Sequence, residues 1–122
     1  MAVSNTSVAA LASAVLFVDT VSANAAVSVK GSSTVIYSIE IDNTANAATS
    51  FLKLWNVSSG SVTVGTTTPD AIFLVPASTK ITVVFPGGVT FATAVTEATV
   101  TTAGTAGTTS PSSAVIVRIV YV

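Results

Sequence analysis

From Thr34 onward, apolar and polar residues succeed one another with a period close to two. A half-buried strand imposes that spacing, because its successive side chains leave on opposite faces. The segment TVIYSIEID (34–42) puts Val35, Tyr37, Ile39 and Ile41 on one side and Ile36, Ser38, Glu40 and Asp42 on the other, which predicts one buried face and one wet face. FLKLWNV (51–57) sets Phe51, Lys53, Trp55 and Val57 against Leu52, Leu54 and Asn56, and apolar residues on both faces suit a central sandwich strand. SVTVG (61–65) and AIFLV (71–75) read as short strands, and TKITVVF (79–85) as a longer one with Ile81, Val83 and Phe85 on one face. EATVTTA (97–103) begins another. AVIVRIVYV (114–122) is the most apolar of all, so it must be paired on an inner face or buried by a neighbouring subunit.

Loops of small polar residues, Gly and Pro separate these runs, as in NTANAATS (43–50), TTTPD (66–70) and GTAGTTSPSS (104–113). Pro86, Gly87 and Gly88 interrupt the strand after Phe85 and predict a tight structural turn with positive φ at one glycine, so that GVTFATAV (88–95) folds back beside the preceding strand. The candidate core aromatics are Phe51, Trp55, Phe85 and Phe91. Seven to nine short strands at regular spacing, with no sustained helical period, predict an all-β fold: an antiparallel β-sandwich of immunoglobulin-like or jelly-roll type with an N-terminal arm.

The amino end breaks the strict alternation. VAALASAVLFV (8–18) is apolar but has no Lys or Arg before it, and Asp19 follows at once, so it does not fit a secretory signal; it is also too short to span a bilayer. Residues 1–24 are therefore read as an N-terminal arm or first strand, and 25–122 as a single β-sandwich domain. Within the arm, Val15, Leu16, Phe17 and Val18 are candidate assembly contacts.

Charge and composition narrow the chemistry. Only four basic and five acidic side chains occur among 122 residues, giving a net charge of −1, and there is no His and no Cys. So sparse a surface charge protects poorly against association, which suits an assembly unit that hides part of its surface. The absence of Cys excludes disulfides and thiolate metal sites, and four scattered cations make no stripe for nucleic acid. Without His, a Ser nucleophile lacks its usual base, and no Gly-rich phosphate loop is present, so no enzymatic activity, catalytic residue or cofactor is expected. Glu40 and Asp42 share a strand face and form the one close carboxylate pair in the sequence; Ca²⁺ ligation and simple solvation of that face are the two readings, and no metal residue is assigned. Trp55 lies in an alternating strand, where a core role is commoner than stacking on a sugar or base. Lack of His also predicts a stability that is nearly flat between about pH 5.5 and 8.

A resemblance adds to this reading. Phe51 to Asn56, Val62 to Pro69, Val75 to Ala77 and Gly88 to Phe91 stand in the order of a YLKLYN-like strand, a VTVGTTxP segment, a VPA step and a GIxF turn. The middle of the chain thereby resembles a small-protein family widespread among tailed bacteriophages, whereas 1–30 and 102–122 depart from it. The resemblance implies a non-enzymatic, all-β virion structural protein, most simply a capsid decoration (cement) protein on the phage head. Its implied partners are the major capsid protein or other virion proteins and further copies of itself, a trimer being favoured, with no nucleic acid and no membrane. The implied location is the virion, after synthesis in the host cytoplasm and without secretion. The alternative is a tail, fibre or receptor-binding module contacting host surface glycan.

Overall fold

The computed structural model describes residues 13–122, and these form eight strands: β1 (Val15–Ser22), β2 (Val27–Lys30), β3 (Thr34–Asp42), β4 (Ser50–Trp55), β5 (Ala71–Val75), β6 (Lys80–Phe91), β7 (Val95–Val100) and β8 (Val115–Tyr121). All pair antiparallel, in a front sheet of order β1-β8-β3-β6 and a back sheet of order β2-β7-β4-β5. Every connection except that between β4 and β5 changes sheet, and this strand order is a jelly roll, a sandwich of two interleaved Greek keys. Of the two sandwich types predicted, the topology selects this one. Of residues 1–24, read as arm or first strand, 15–22 are a full edge strand of the front sheet, paired along β8 from Val15 with Tyr121 to Ser22 with Val115, and 1–12 lie outside the described residues. The apolar segment 114–122 supplies β8, which lies between β1 and β3.

Between the sheets, Ile36, Ile39 and Ile41 of β3 and Val115, Val117 and Ile119 of β8 meet Leu52 and Leu54 of β4 and Val95 of β7, all essentially removed from solvent. Each such side chain contributes roughly 1.5–3 kcal/mol by its burial. The inward set of β3 differs from the predicted alternation: Ile39 and Ile41 point inward as expected, but Ile36 joins them in place of Val35 and Tyr37. The cause is a slip in phase. Ile36 pairs with Tyr121 and Ser38 with Val120, which leaves Tyr37 as an extra residue in β3.

On the other side of β3, Ile36 faces Val89 while Ser38 faces Val84, so Phe85, Pro86, Gly87 and Gly88 all stand opposite Tyr37 alone. Pro-Gly-Gly is therefore a wide bulge within one strand and not the predicted hairpin turn. Val89 to Phe91 continue along β3 opposite Ile36 to Thr34, and only after residues 92–94 does the chain enter the back sheet as β7. Pro86 is tolerated because β6 is the outermost strand of its sheet, where a missing N–H costs no ladder bond. Gly88 has φ of +74°, and a side chain there would run into Cγ1 of Val35 and come within 3.2 Å of Cε1 of Tyr37. The predicted strand at 61–65 is also absent; Ser59–Ser61 form a 3-10 turn, and the amides of Thr66 and Thr67 both donate to the Thr63 carbonyl.

Asparagines tie the loops at each end. Asn43, fully buried, donates to the carbonyls of Ala48 at 2.9 Å and Pro76 at 3.0 Å while its Oδ1 accepts from Asn46 Nδ2 and Ser50 Oγ, each at 2.9 Å. Asn46 reaches on to the Ser113 carbonyl and accepts from the Ser113 amide. At the opposite end, Oδ1 of Asn56 accepts from the amide of Thr93 at 2.8 Å. The 43–50 and 92–94 loops and the chain near Ser113 are thus fastened by asparagine side chains that satisfy backbone groups.

The bulge assignment separates the two glycines. Gly88→Val should lower the unfolding free energy by at least about 1–3 kcal/mol through strain at positive φ, before any clash with Val35. Gly87→Val, at a position with open space around its Cβ and no positive φ, should stay within about 0.5 kcal/mol of the parent. Urea midpoints measure both; equal losses at the two positions would contradict the assignment.

Candidate functional site

The two outer faces of the sandwich are built differently. On the back sheet, the 56–70 and 101–114 loops come in from opposite ends and close over the outer face of β4, where the methyl of Thr108 lies against Gly65, whereas Ile72 and Leu74 of edge strand β5 stay exposed on that face. Lys53, wholly buried beneath them, donates from Nζ to the carbonyls of Gly107 at 3.0 Å and Thr105 at 3.4 Å. Burial pushes its ammonium pKa down. Beside it Trp55 is covered as well, its indole N–H donating to the Thr67 carbonyl at 2.9 Å, so this tryptophan is buried outside the inter-sheet core. Phe51 lies on the same outer face and is half-buried; Phe91 is in the inter-sheet core, and Phe85 packs at its margin, edge-on to Phe73 at 6.4 Å between ring centroids.

Among the described residues, no loop crosses the outer face of the front sheet. The register lines up Leu16, Val120, Ser38 and Val84 as one row across all four strands. With strands about 4.8 Å apart, the row is roughly 14 Å long. Leu16 is 57% exposed and Val84 63%, and Tyr37, Ser38, Val84, Phe85, Pro86 and Val120 line an open depression of about 320 Å³ where the bulge bends β6. The next row holds Val18, Arg118, Glu40 and Thr82, with Arg118 Nη1 donating to Glu40 Oε1 at 2.6 Å, and the third contains Ile116, Asp42 and Lys80. One end of this face is therefore apolar and the other carries charges that neutralise one another. Of the arm residues named from the sequence, Leu16 and Val18 lie in these rows, Val15 is exposed opposite Tyr121, and Phe17 packs against the core.

Glu40 and Asp42 do share the outer face, but each is engaged separately. Glu40 is held by Arg118, and Asp42 Oδ1 accepts from the amide of Thr44 at 3.0 Å and its hydroxyl at 2.5 Å, which lowers the carboxyl pKa. No group of three or more metal-ligating side chains is present among the described residues.

A different carboxylate pair, not singled out from the sequence, lies between the sheets. Asp19 of β1 and Glu97 of β7 are both buried there, with Ser22 Oγ donating to Glu97 Oε2 at 2.7 Å and lying 2.8 Å from Thr99 Oγ1. Desolvation pushes the Glu97 pKa up to about 9, reinforced by the neighbouring Asp19 carboxyl and only partly opposed by the Ser22 hydroxyl. The sequence signal was a single acid inside each of two apolar strands, VLFVDTVS and VTEATV.

No protein-family model, no curated protein and no solved structure matches the chain. The class of protein is accordingly what the fold itself defines, an all-β jelly-roll sandwich with one sheet roofed over its central strands and one open sheet.

Glu97 predicts a sloping pH profile in place of the flat one expected from the absence of His. Its folded pKa lies above the unfolded reference of 4.5, so between 4.5 and about 9 the folded chain keeps a proton that the unfolded chain has released. The contribution of Glu97 to stability is then fully present below pH 4.5 and is lost as the pH rises through 9, with a slope of at most about 1.4 kcal/mol per pH unit. Thermal unfolding followed from pH 5 to 9 should show a steady decline in melting temperature, roughly 4 °C for each kcal/mol lost; a level profile would show that Glu97 titrates as an ordinary carboxyl.

Proposed function

We propose that the chain is a non-enzymatic structural subunit of a virion and that the open face of its front sheet binds a neighbouring protein. The observation that supports this most is the apolar row from Leu16 through Val120 and Ser38 to Val84, which leaves large aliphatic side chains in water on a chain with few charges to keep such a surface apart from others. Its two neighbouring rows add paired charges whose net sum is zero, so a partner meets shape and apolar contact before charge. The resemblance to small virion proteins of tailed bacteriophages supplies the setting: a decoration (cement) protein seated on the major capsid protein as an oligomer, with a trimer favoured. Jelly rolls serve many roles, viral coats among them, so the fold is compatible with this reading without specifying it. Glycan recognition, the alternative for a tail or fibre module, draws less support, because the lone tryptophan is beneath the back-sheet loops and offers no stacking platform.

Binding to isolated heads of the parent virus tests the reading. The wild-type chain should co-sediment with the heads and saturate at a fixed stoichiometry. Val84→Asp, placed at a 63% exposed position, should leave the melting temperature nearly unchanged and weaken binding at least about tenfold. A wild-type protein that stays monomeric and ignores the heads would refute the proposal.

A further inference from the structure

We propose that Asp19 and Glu97 share a single proton, and that the resulting hydrogen bond latches edge strand β1 of the front sheet onto β7 of the back sheet. The inference stands on geometry between the sheets and is independent of any assembly role. Glu97 Oε2 is occupied by the Ser22 hydroxyl at 2.7 Å, and Asp19 Oδ1 accepts from the Val21 amide at 2.7 Å. The two remaining oxygens, Glu97 Oε1 and Asp19 Oδ2, are buried without another hydrogen-bond partner among the described residues, although the side chains lie within hydrogen-bonding reach of each other. Two carboxylates can only accept; a proton on one of them makes it a donor and satisfies both orphaned oxygens at once. Glu97 is the acid of the pair, because it is the more completely buried of the two.

No described cation offers an alternative partner. On β8, Val117 lies opposite Asp19, while Arg118 points to the outer face and holds Glu40. On β4 and β2, Leu54 and Val27 flank Glu97; Lys53 lies on the far side of its sheet under the loops, and Lys30 stands 5.4 Å over the Tyr121 ring. Lys80, on β6, is exposed and sits opposite Asp42 on the outer face. Losing the shared proton to solvent would leave two adjacent negative charges in an apolar layer, and moving β1 away from β7 is the simplest relief. β1 can yield because it is paired on one side only and its register to β8 already shifts between Asp19 and Ser22.

Infrared difference spectroscopy of the full chain tests the protonation directly: wild-type protein at neutral pH should show a carboxylic-acid C=O stretch that is missing from Glu97→Gln. Amide exchange tests the latch. Above the Glu97 transition near pH 9, amides of β1 should lose protection relative to those of β4 by roughly tenfold per pH unit in the wild type, while Glu97→Gln, whose amide can still donate to Asp19, keeps them protected. Carbon-13 titration of the Glu97 carboxyl in the wild type gives the same answer without a variant, should the substitution impair folding. The proposal is overturned if the acid band is absent at neutral pH or if β1 and β4 lose protection in parallel. It is also overturned if calcium or a chelator shifts the wild-type titration, since a cation would then occupy the place assigned to the proton.

Discussion

Everything in this sandwich depends on keeping one set of side chains pointed across the narrow layer between two sheets, about 10 Å thick, along strands that are not perfectly regular. β3 runs through the middle of the front sheet and contributes Ile36, Ile39 and Ile41 to that layer, a spacing no uninterrupted strand can provide. Tyr37 takes up the odd residue against β8, and the Phe85 to Gly88 excursion takes it up against β6. The two irregularities lie at the same level of the sheet, so the neighbours of β3 resume pairing in phase on both sides. Positive φ at Gly88 and the close approach of Val35 and Tyr37 are local costs of a constraint that is global.

How much of this could be read from the residues follows from the range of the interactions involved. The period-two segments gave strands wherever one face met the core and the other met water, as in β3 and β6, and the breadth of apolar residues in FLKLWNV marked β4 as central. Pro-Gly-Gly misled because its turn chemistry is local, whereas the pairing that keeps it inside a strand comes from β3, some fifty residues earlier in the chain. Trp55 was buried as expected, but by a roof of loops whose Ser, Thr and Gly content carried no sign of covering anything. Asp19 and Glu97 were invisible as a pair because they meet only when the first and seventh strands are brought together from opposite sheets. The exposed row was half legible: Val84 sat with Lys80 and Thr82 on the polar side of its strand, but Leu16 and Val120 could be aligned with it only through the register.

The contrast between the two outer faces links stability to the functional reading. Along β4 and β7 the back sheet is buried on both sides, and its cover is closed by Lys53 and two carbonyls, with Gly107 placed where a side chain would strike the Thr102 carbonyl. The front sheet puts its stability into one face only and leaves the other to solvent. A two-sheet domain can accommodate such a division: one sheet supplies a rigid, doubly packed foundation and the other is free to present aliphatic side chains on strands whose positions that foundation fixes.

The position of β8 has a further consequence, for how the chain reaches this structure. β8 comes last of the eight strands, yet it occupies the interior of the front sheet, between β1 and β3. Until it arrives, β1 has no partner in its sheet and β3 pairs only with β6, so the growing chain holds an unclosed sheet with a strand-wide gap at its centre. Pairing of this kind is almost entirely long-range, which places the domain among slow folders whose loop-closure entropy must be met before contacts accumulate. On the ribosome, the domain cannot close until its final strand has emerged, and closure then joins both ends of the described chain in a single step.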